Sequence, residues 1–347
     1  MDHISKVLEG TDITTVAIVG CSKNSGKTTA LNHILAGIPP QFASVGILSI
    51  GIDGEEQDFW LGVPKPRIRV RAGNLVATAE RLLRGGTARV RILQRTGATT
   101  PLGELVIARV EEQGLLVLAG VRHKGDVRRV VDAMKRHHAA RVLIDGSYQR
   151  LMAADPEVSQ GVVLATGAIL GRTVREVARR TKEVLDRLRV PPVEDPADLG
   201  LFEDAIRHNR LTVRDSRARI VVLAAPGAAV NEADLRDAIG RNAAVIATPG
   251  VVSDRLLRAV MSAGAGPVRL LVSDPTRLFV SPPMLSRFAA RGGEIRVLRP
   301  VRLLAVAVNP SSVLGHTLPE KALHQAIQDL ADPIPVFLFR DAPDPDA

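Results

Sequence analysis

The chain has 347 residues, of which 46% are hydrophobic and 24% charged, so it can form a large core and is not a disordered chain. Its formal net charge is +9, but the arginines are dispersed, and one Trp and one Tyr offer bases little to stack on. A nucleic-acid partner is therefore not expected. The single cysteine, Cys21, excludes an internal disulfide, and no apolar run is long enough to span a bilayer, so a cytoplasmic location without membrane contact is expected.

The first predicted unit is a strand, a glycine-containing loop and a helix. The apolar run Val16–Val19 leads into GCSKNSGKTT, and a helix follows from Lys27 to about Ala36. The loop has the phosphate-binding spacing G-x-x-x-x-G-K-S/T in the strand-to-helix context that this motif requires. Small residues let backbone amides turn toward a phosphate, and the helix adds its positive end. The sequence therefore predicts a nucleotide site here, although the alternative is a glycine-rich turn that happens to contain Lys-Thr.

The loop assigns specific roles to several residues. Lys27 is expected to neutralise the β- and γ-phosphates, and Thr28 to hold Mg²⁺ through its hydroxyl group. Lys23 either contacts phosphate within the same chain or faces solvent. ATP is preferred over GTP, because the closest match to the guanine motif N-K-x-D, Ser273–Arg277, lacks the Asn and the Lys. The residues expected to contact ATP are Gly20, Lys23, Asn24, Ser25, Gly26, Lys27, Thr28 and Thr29.

Acidic residues follow two of the predicted strands. Strand Val45–Ile52 precedes Asp53, and strand Arg141–Ile144 precedes Asp145, which has Walker B character. Both are predicted as metal-side and catalytic acids, and Glu55 as a residue that positions the attacking water. Since a glycine follows each Asp, the alternative is that both only cap turns.

Residues 60–120 differ from their surroundings, with short strand-like runs, Gly and Pro turns and one helix predicted near Leu75–Leu83. This region is predicted to be a β-rich insertion. Arg67, Arg69 and Arg71 alternate with apolar residues, so they share one face of a strand, either a solvated face or a basic surface for phosphates or a partner.

The rest of the chain predicts further alternation of strands and helices. Helices at about Asp126–His138 and Thr173–Leu188 flank a strand at Val162–Ala165, and the proline-rich Val190–Pro196 reads as a linker. A second α/β series follows, with strands near Ile220–Leu223, Ala244–Ala247, Val268–Val272, Leu303–Val308 and Val336–Phe339. The predicted fold is α/β: a P-loop NTPase parallel sheet with helices on both faces in residues 1–195, and a Rossmann-like domain in residues 196–347.

Several segments, in order, resemble the ATPase subunit of the lysine 5,6-aminomutase reactivase. They are GCSKNSGKTT, IGIDGEE, LGVPKPRIRV, TGATTPLGELVIARV, LVLAG, LIDGSYQR, SQGVVLATGAILG and AVAVNPSSVLG. The loop motif is generic, but PKPRI, TPLGE and ATGA in this order are more specific. The resemblance covers most of the chain, from about residue 14 to 340.

The resemblance implies an ATP-dependent chaperone that releases damaged cobalamin from an adenosylcobalamin-dependent aminomutase. It implies ATP and Mg²⁺ as cofactors, a protein client, and a second reactivase subunit or a second copy of the chain as a further partner. Asp145 would be the acid of the family's IDG segment. One departure is Gln149, where the family pattern has a carboxylate, and this puts any catalytic role of that position in doubt.

Two other readings stay open at the level of sequence. One is an ATP-dependent kinase or ligase of the dethiobiotin-synthetase type, in which the second domain would form a substrate pocket. The other is an NTPase linked to nucleic acid, or a molybdenum-cofactor accessory protein with a similar KNSGKTT loop.

Overall fold

The computed structural model describes residues 4–9, 11–39, 44–50, 67–121, 123–146, 151–222, 232–240, 242–264 and 266–339. Numbered along the chain, the strands are β1 Thr15–Gly20, β2 Val45–Ser49, β3 Ile68–Val70, β4 Leu75–Ala79, β5 Arg89–Thr100, β6 Gly103–Glu112, β7 Gly114–Leu116, β8 Arg141–Asp145, β9 Gly161–Gly167, β10 Thr212–Asp215, β11 Ile220–Val222, β12 Ala243–Thr248, β13 Val252–Ser253, β14 Arg269–Val272, β15 Leu278–Phe279, β16 Glu294–Val297, β17 Leu303–Asn309 and β18 Val336–Leu338.

The helices are α1 Lys27–Gly37, α2 Lys124–Arg136, α3 Val174–Leu188, α4 Pro196–His208, α5 Glu232–Ile239, α6 Asp254–Ser262, α7 Pro282–Ala290 and α8 Glu320–Ala331. Short 3-10 helices cover Ile4–Leu8, Glu80–Gly85, Leu151–Ala154, Ala168–Leu170 and Pro275–Arg277. None of the helices in the described ranges combines the length and apolar character needed to cross a bilayer. The predicted α/β class is confirmed.

The chain divides into two compact units. The first consists of Met1–Val184 together with Arg302–Ala347, and the second of Leu185–Val301. The predicted division at residues 195/196 differs from the structure in two respects: the second unit already begins at Leu185, and the segment from Arg302 onward belongs to the first unit. The reason for the second difference is strand pairing, because β17 lies parallel to β9 and β18 lies parallel to β17.

A nine-stranded sheet forms the centre of the first unit, in the order β18-β17-β9-β1-β8-β2-β4-β6-β5. The strands from β18 to β4 are parallel, and the hairpin β5–β6 adds two antiparallel strands at one edge. All residues of β1 and β9 are buried, as expected for central parallel strands covered on both faces. Leu31 and Ile34 of α1 belong to the core on one face, and Met134 of α2 packs beside Gly46 on the other.

The region predicted as a β-rich insertion is rich in strands where the structure describes it. β4 pairs in parallel with β2, and β6 pairs with β4, so these strands and β5 extend the main sheet, whereas β3 and β7 pair with each other in a separate two-stranded sheet. The helix predicted near Leu75–Leu83 is wrong in its first half, where β4 forms between two neighbouring strands. Only Glu80–Gly85 is helical, as a 3-10 helix.

The second unit contains a five-stranded sheet in the order β11-β10-β12-β14-β16, in which β12, β14 and β16 are parallel and β10 is antiparallel to both of its neighbours. A two-stranded parallel ribbon, β13–β15, lies beyond the carboxyl ends of β12 and β14. The sequence analysis did not predict β10, β16 or α4.

A buried carboxylate ties α4 to this sheet. Asp198 is 1% exposed and accepts hydrogen bonds from Arg214 Nη2 and, at 2.8 Å, from Arg269 Nη1. The hydrogen bond to Asp198 raises the pKa of Arg269 above its ordinary value. A carboxylate enclosed to this degree is stable only with such partners, so the cluster is a structural element of the second unit.

Candidate phosphate-binding site

The loop between β1 and α1 is shaped by two glycines. A Cβ atom added to Gly20 would lie 2.3 Å from Ser25 Oγ, so no larger residue fits there. Gly26 has φ +87°, and its added Cβ would lie 3.1 Å from Asn309 Cβ. Asn24 also adopts a left-handed conformation, with φ +58°. The backbone thus makes a tight turn that depends on glycine at both ends of the predicted motif.

The amino-terminal end of α1 has no side-chain cap. The residue at its cap position is Gly26, and no acidic side chain occupies the first turn. Lys27 folds back over the loop, with its Nζ atom 3.3 Å from Ser22 O. Backbone amides, the positive end of the helix dipole and an ammonium group therefore converge where an anion is stabilised.

The predicted contact residues do not all present their side chains to this end of the helix. Ser25 is 1% exposed, and its Oγ has no hydrogen-bond partner among the described residues. Thr29 is also buried, whereas Thr28 is half-buried and Lys23 is exposed. Ser25 and Thr29 are thus available to a ligand mainly through their backbone amides, and Thr28 through its hydroxyl group as well.

Asp145 lies at the carboxyl edge of the same sheet. In strand register it is opposite Ile18 of β1 on one side and Ser49 of β2 on the other. The next residue, Gly146, donates its backbone N–H to Ile18 O at 2.9 Å, and an added Cβ there would lie 2.8 Å from Ala153 Cβ. The acid is therefore held at the end of the strand next to the loop strand. Asp53, Glu55 and Gln149 lie outside the described residues.

Asn309, at the end of β17, contacts the loop at Gly26 and was not predicted from the sequence. Its side chain packs against Gly26, and its Oδ1 accepts a hydrogen bond from Ser311 N at 2.9 Å. Gly167, at the end of β9, approaches it so closely that an added Cβ would lie 2.1 Å from Asn309 O. The sequence feature that could have identified Asn309 is its position, followed by a proline, at the end of an apolar strand. Asp145 was predicted from a similar position at the end of an apolar strand.

The ATGA segment, residues 165–168, lies at this edge too. Cys21, the second residue of the loop motif, donates its backbone N–H to Ala165 O at 2.8 Å. The segment therefore supports the loop from the side of β9, while Asp145 flanks it from the side of β8.

The oxygen donors at this edge fit Mg²⁺ better than a transition metal. Thr28 offers a hydroxyl group and Asp145 a carboxylate, both hard ligands, and Mg²⁺ usually takes one or two protein oxygens together with phosphates and water. In the described ranges no group of three or more His, Cys, Asp or Glu side chains is placed to form a closed metal site. Comparison of the chain with models of known protein families, with curated proteins and with solved structures gave no match.

Proposed function

We propose that this protein is a P-loop ATPase that binds Mg²⁺-ATP at the loop between β1 and α1. The observation that carries the proposal is the uncapped end of α1 behind a glycine-framed turn, with Lys27 folded over it. An anion with several oxygens is the ligand that such an arrangement accommodates. The position of Asp145 on the strand next to the loop strand supports a role for it on the metal side of that ligand.

Each residue then has a distinct task. The amides of the first turn of α1 donate hydrogen bonds to phosphate oxygens, and Lys27 supplies the positive charge that offsets the β- and γ-phosphates. Mg²⁺, when bound, neutralises charge that develops on the phosphates during transfer. Thr28 would hold it through its hydroxyl group and Asp145 through its carboxylate. Asn309 keeps Gly26 in place from the side of β17.

We further propose that ATP hydrolysis acts on a protein client, as in the reactivase of cobalamin-dependent lysine 5,6-aminomutase. This part rests on the resemblance of PKPRI, TPLGE and ATGA to that family. ATGA accepts a backbone hydrogen bond from the loop, which supports a role for it in holding the phosphate-binding turn. TPLGE instead contains the turn of the β5–β6 hairpin, where Glu104 forms an ion pair with Arg95 at the edge of the sheet. This hairpin is the candidate surface for the client.

The test of nucleotide binding is calorimetric titration with ATP and Mg²⁺ of the wild-type chain and of Lys27→Ala. We expect Lys27→Ala to weaken binding by about 100-fold, since a charge-assisted contact to phosphate is lost, while the thermal unfolding curve stays unchanged. Lys135→Ala, at an exposed position of α2, is the matched control and should bind like the wild type. Equal binding by the wild type and Lys27→Ala would overturn the proposal.

The client is tested separately by measuring ATP turnover with candidate additions. Stimulation by an adenosylcobalamin-dependent aminomutase supports the reactivase role. Consumption of ATP in a fixed ratio with a metabolite identifies a kinase or ligase instead, and stimulation by RNA identifies a nucleic-acid-linked NTPase. Either of these results would overturn the client assignment and leave the nucleotide site intact.

A further inference from the structure

The β13–β15 ribbon of the second unit has a buried side and an exposed apolar side. Val252 and Leu278 are paired in register, and both are almost fully buried. Phe279, the next residue along β15, is 59% exposed, and Val251, just before β13, is 48% exposed. Because side chains alternate along a strand, Phe279 and Val251 lie on the opposite side of the ribbon from the buried pair, and this side presents apolar surface to solvent.

Arg277 ends the short 3-10 helix that connects β14 to β15, and it directly precedes Leu278. It is half-buried, and its Nε atom is enclosed without a hydrogen-bond partner in the described part of the chain. No described carboxylate lies within ion-pair distance of its guanidinium group. A partly desolvated cation without a counter-ion attracts anions more strongly than a solvated one, because its charge is screened less.

The nearest acidic residue along the chain is already engaged. Asp274 is fully buried, and its Oδ1 accepts hydrogen bonds from Thr276 N, at 3.0 Å, and from the Thr276 hydroxyl group. Its Oδ2 lies 3.7 Å from Arg299 Nη2, so the carboxylate is paired with a different arginine. Asp274 is therefore held in the turn and paired with Arg299, and it does not act as the counter-ion of Arg277.

We propose that this end of the second unit binds a small organic anion, a carboxylate or phosphate carried on a planar apolar group. Arg277 would bind the anionic group through the planar guanidinium fork that suits both chemistries. Phe279 would contact the planar body, and Val251 would add apolar area. The location agrees with the general position of ligands in α/β sheets, beyond the carboxyl ends of parallel strands. The site is distinct from the proposed nucleotide loop and does not depend on it.

The test titrates phenyl phosphate, benzoate and inorganic phosphate into the full chain carrying Lys27→Ala, which suppresses phosphate binding at the loop. We expect saturable binding of an aromatic anion, weakened about tenfold or more by Arg277→Gln. Phe279→Ala should weaken both aromatic probes and leave inorganic phosphate unchanged. The tighter of phenyl phosphate and benzoate identifies the anionic group. Arg287→Gln, at an exposed position of α7 in the same unit, removes the same charge and is the matched control.

Three results would overturn the proposal: no saturable binding of any probe up to about 10 mM, equal weakening by Arg277→Gln and Arg287→Gln, or no effect of Arg277→Gln. Thermal unfolding of each variant checks that the fold is retained. If Arg277→Gln unfolds, Arg277→Lys replaces it, because lysine keeps the charge and loses the fork. We then expect a several-fold loss of affinity in place of the larger one.

Discussion

The amino-terminal ends of α1 in the first unit and of α4 in the second differ in what accepts their backbone N–H groups. In the second unit, Asp195 caps α4 by accepting a hydrogen bond from Ala197 N at 2.8 Å, and Asp274 caps the turn after β14. Asp254 accepts both the backbone N–H and the hydroxyl group of Ser281, each at 2.8 Å, and these bonds lower its pKa below the ordinary value. In the first unit, α1 starts at a glycine with no side-chain cap.

This difference shows where an external anion can bind. Where a carboxylate already accepts the backbone donors, a phosphate would compete with a group that is permanently present. At α1 no side chain caps the first turn, and Lys27 adds charge. Under the two proposals, the first unit would bind its anion mainly through backbone amides, and the second unit mainly through a side-chain cation.

The largest expected effect is a loss of stability in the second unit, with the first unit unchanged. Asp198→Ala leaves Arg214 and Arg269 without their shared carboxylate, and we expect a loss of about 3–5 kcal/mol in the free energy of unfolding. Urea denaturation followed by hydrogen exchange measures the loss and locates it. Asp204→Ala, which removes partly exposed ion pairs on α4, is the control and should cost about 0–1 kcal/mol. Similar losses in both variants would show that the buried cluster is not structural.

A second prediction separates nucleotide binding from hydrolysis in the first unit. Asp145→Asn removes the metal-side charge and should lower ATP turnover by about 100-fold, while ATP binding without Mg²⁺ stays close to that of the wild type. Steady-state phosphate release and calorimetry measure the two properties. Asp132→Asn, at an exposed position of α2, should change neither. Full turnover by Asp145→Asn would exclude the metal-side role.

A smaller effect is expected at the contact between β17 and the loop. Asn309→Ala removes the hydrogen bond from Ser311 N and the packing against Gly26, and we expect ATP affinity to fall about 3- to 10-fold. Asn309→Asp keeps an acceptor for Ser311 and adds a negative charge beside the loop. It should bind ATP more weakly than Asn309→Ala, and the reverse order would argue against a phosphate at this position.

The smallest effect concerns the start of α3, which, unlike α1, is capped. Glu176 accepts hydrogen bonds from the backbone N–H groups of Arg172 and Thr173, and these lower its pKa below the ordinary 4.5. Because the folded-state pKa is the lower one, its stabilising effect is present above pH 4.5 and is lost as the pH falls through the lowered value. Glu176→Gln should therefore have a lower melting temperature than the wild type at neutral pH, and the two melting temperatures should become equal in acid. Glu183→Gln, also on α3, is the control. A difference in melting temperature between Glu176→Gln and the wild type that persists in acid would contradict this account.

Local patterns predicted the elements around the loop well. Both ends of β1, α1 and β8 lie within one residue of the predicted bounds. The reason is that an apolar run followed by Gly or Asp is a short-range signal. β4 was predicted as a helix because LVATAERLL contains many helix formers, and pairing with β2 and β6 overrides that preference. The contact between Gly26 and Asn309 joins residues far apart in sequence, and periodicity carries no information on such pairing.

The return of the chain to the first sheet has a consequence for the order of folding during synthesis. Leu185–Val301 is complete while β17 and β18 are still untranslated, so the second unit can form its core before the first sheet acquires its last two strands. Until Asn309 emerges, the loop lacks its contact at Gly26. We therefore expect nascent chains that stop before residue 302 to contain a folded second unit and a first sheet that lacks β17, β18 and the contact of Asn309 with Gly26.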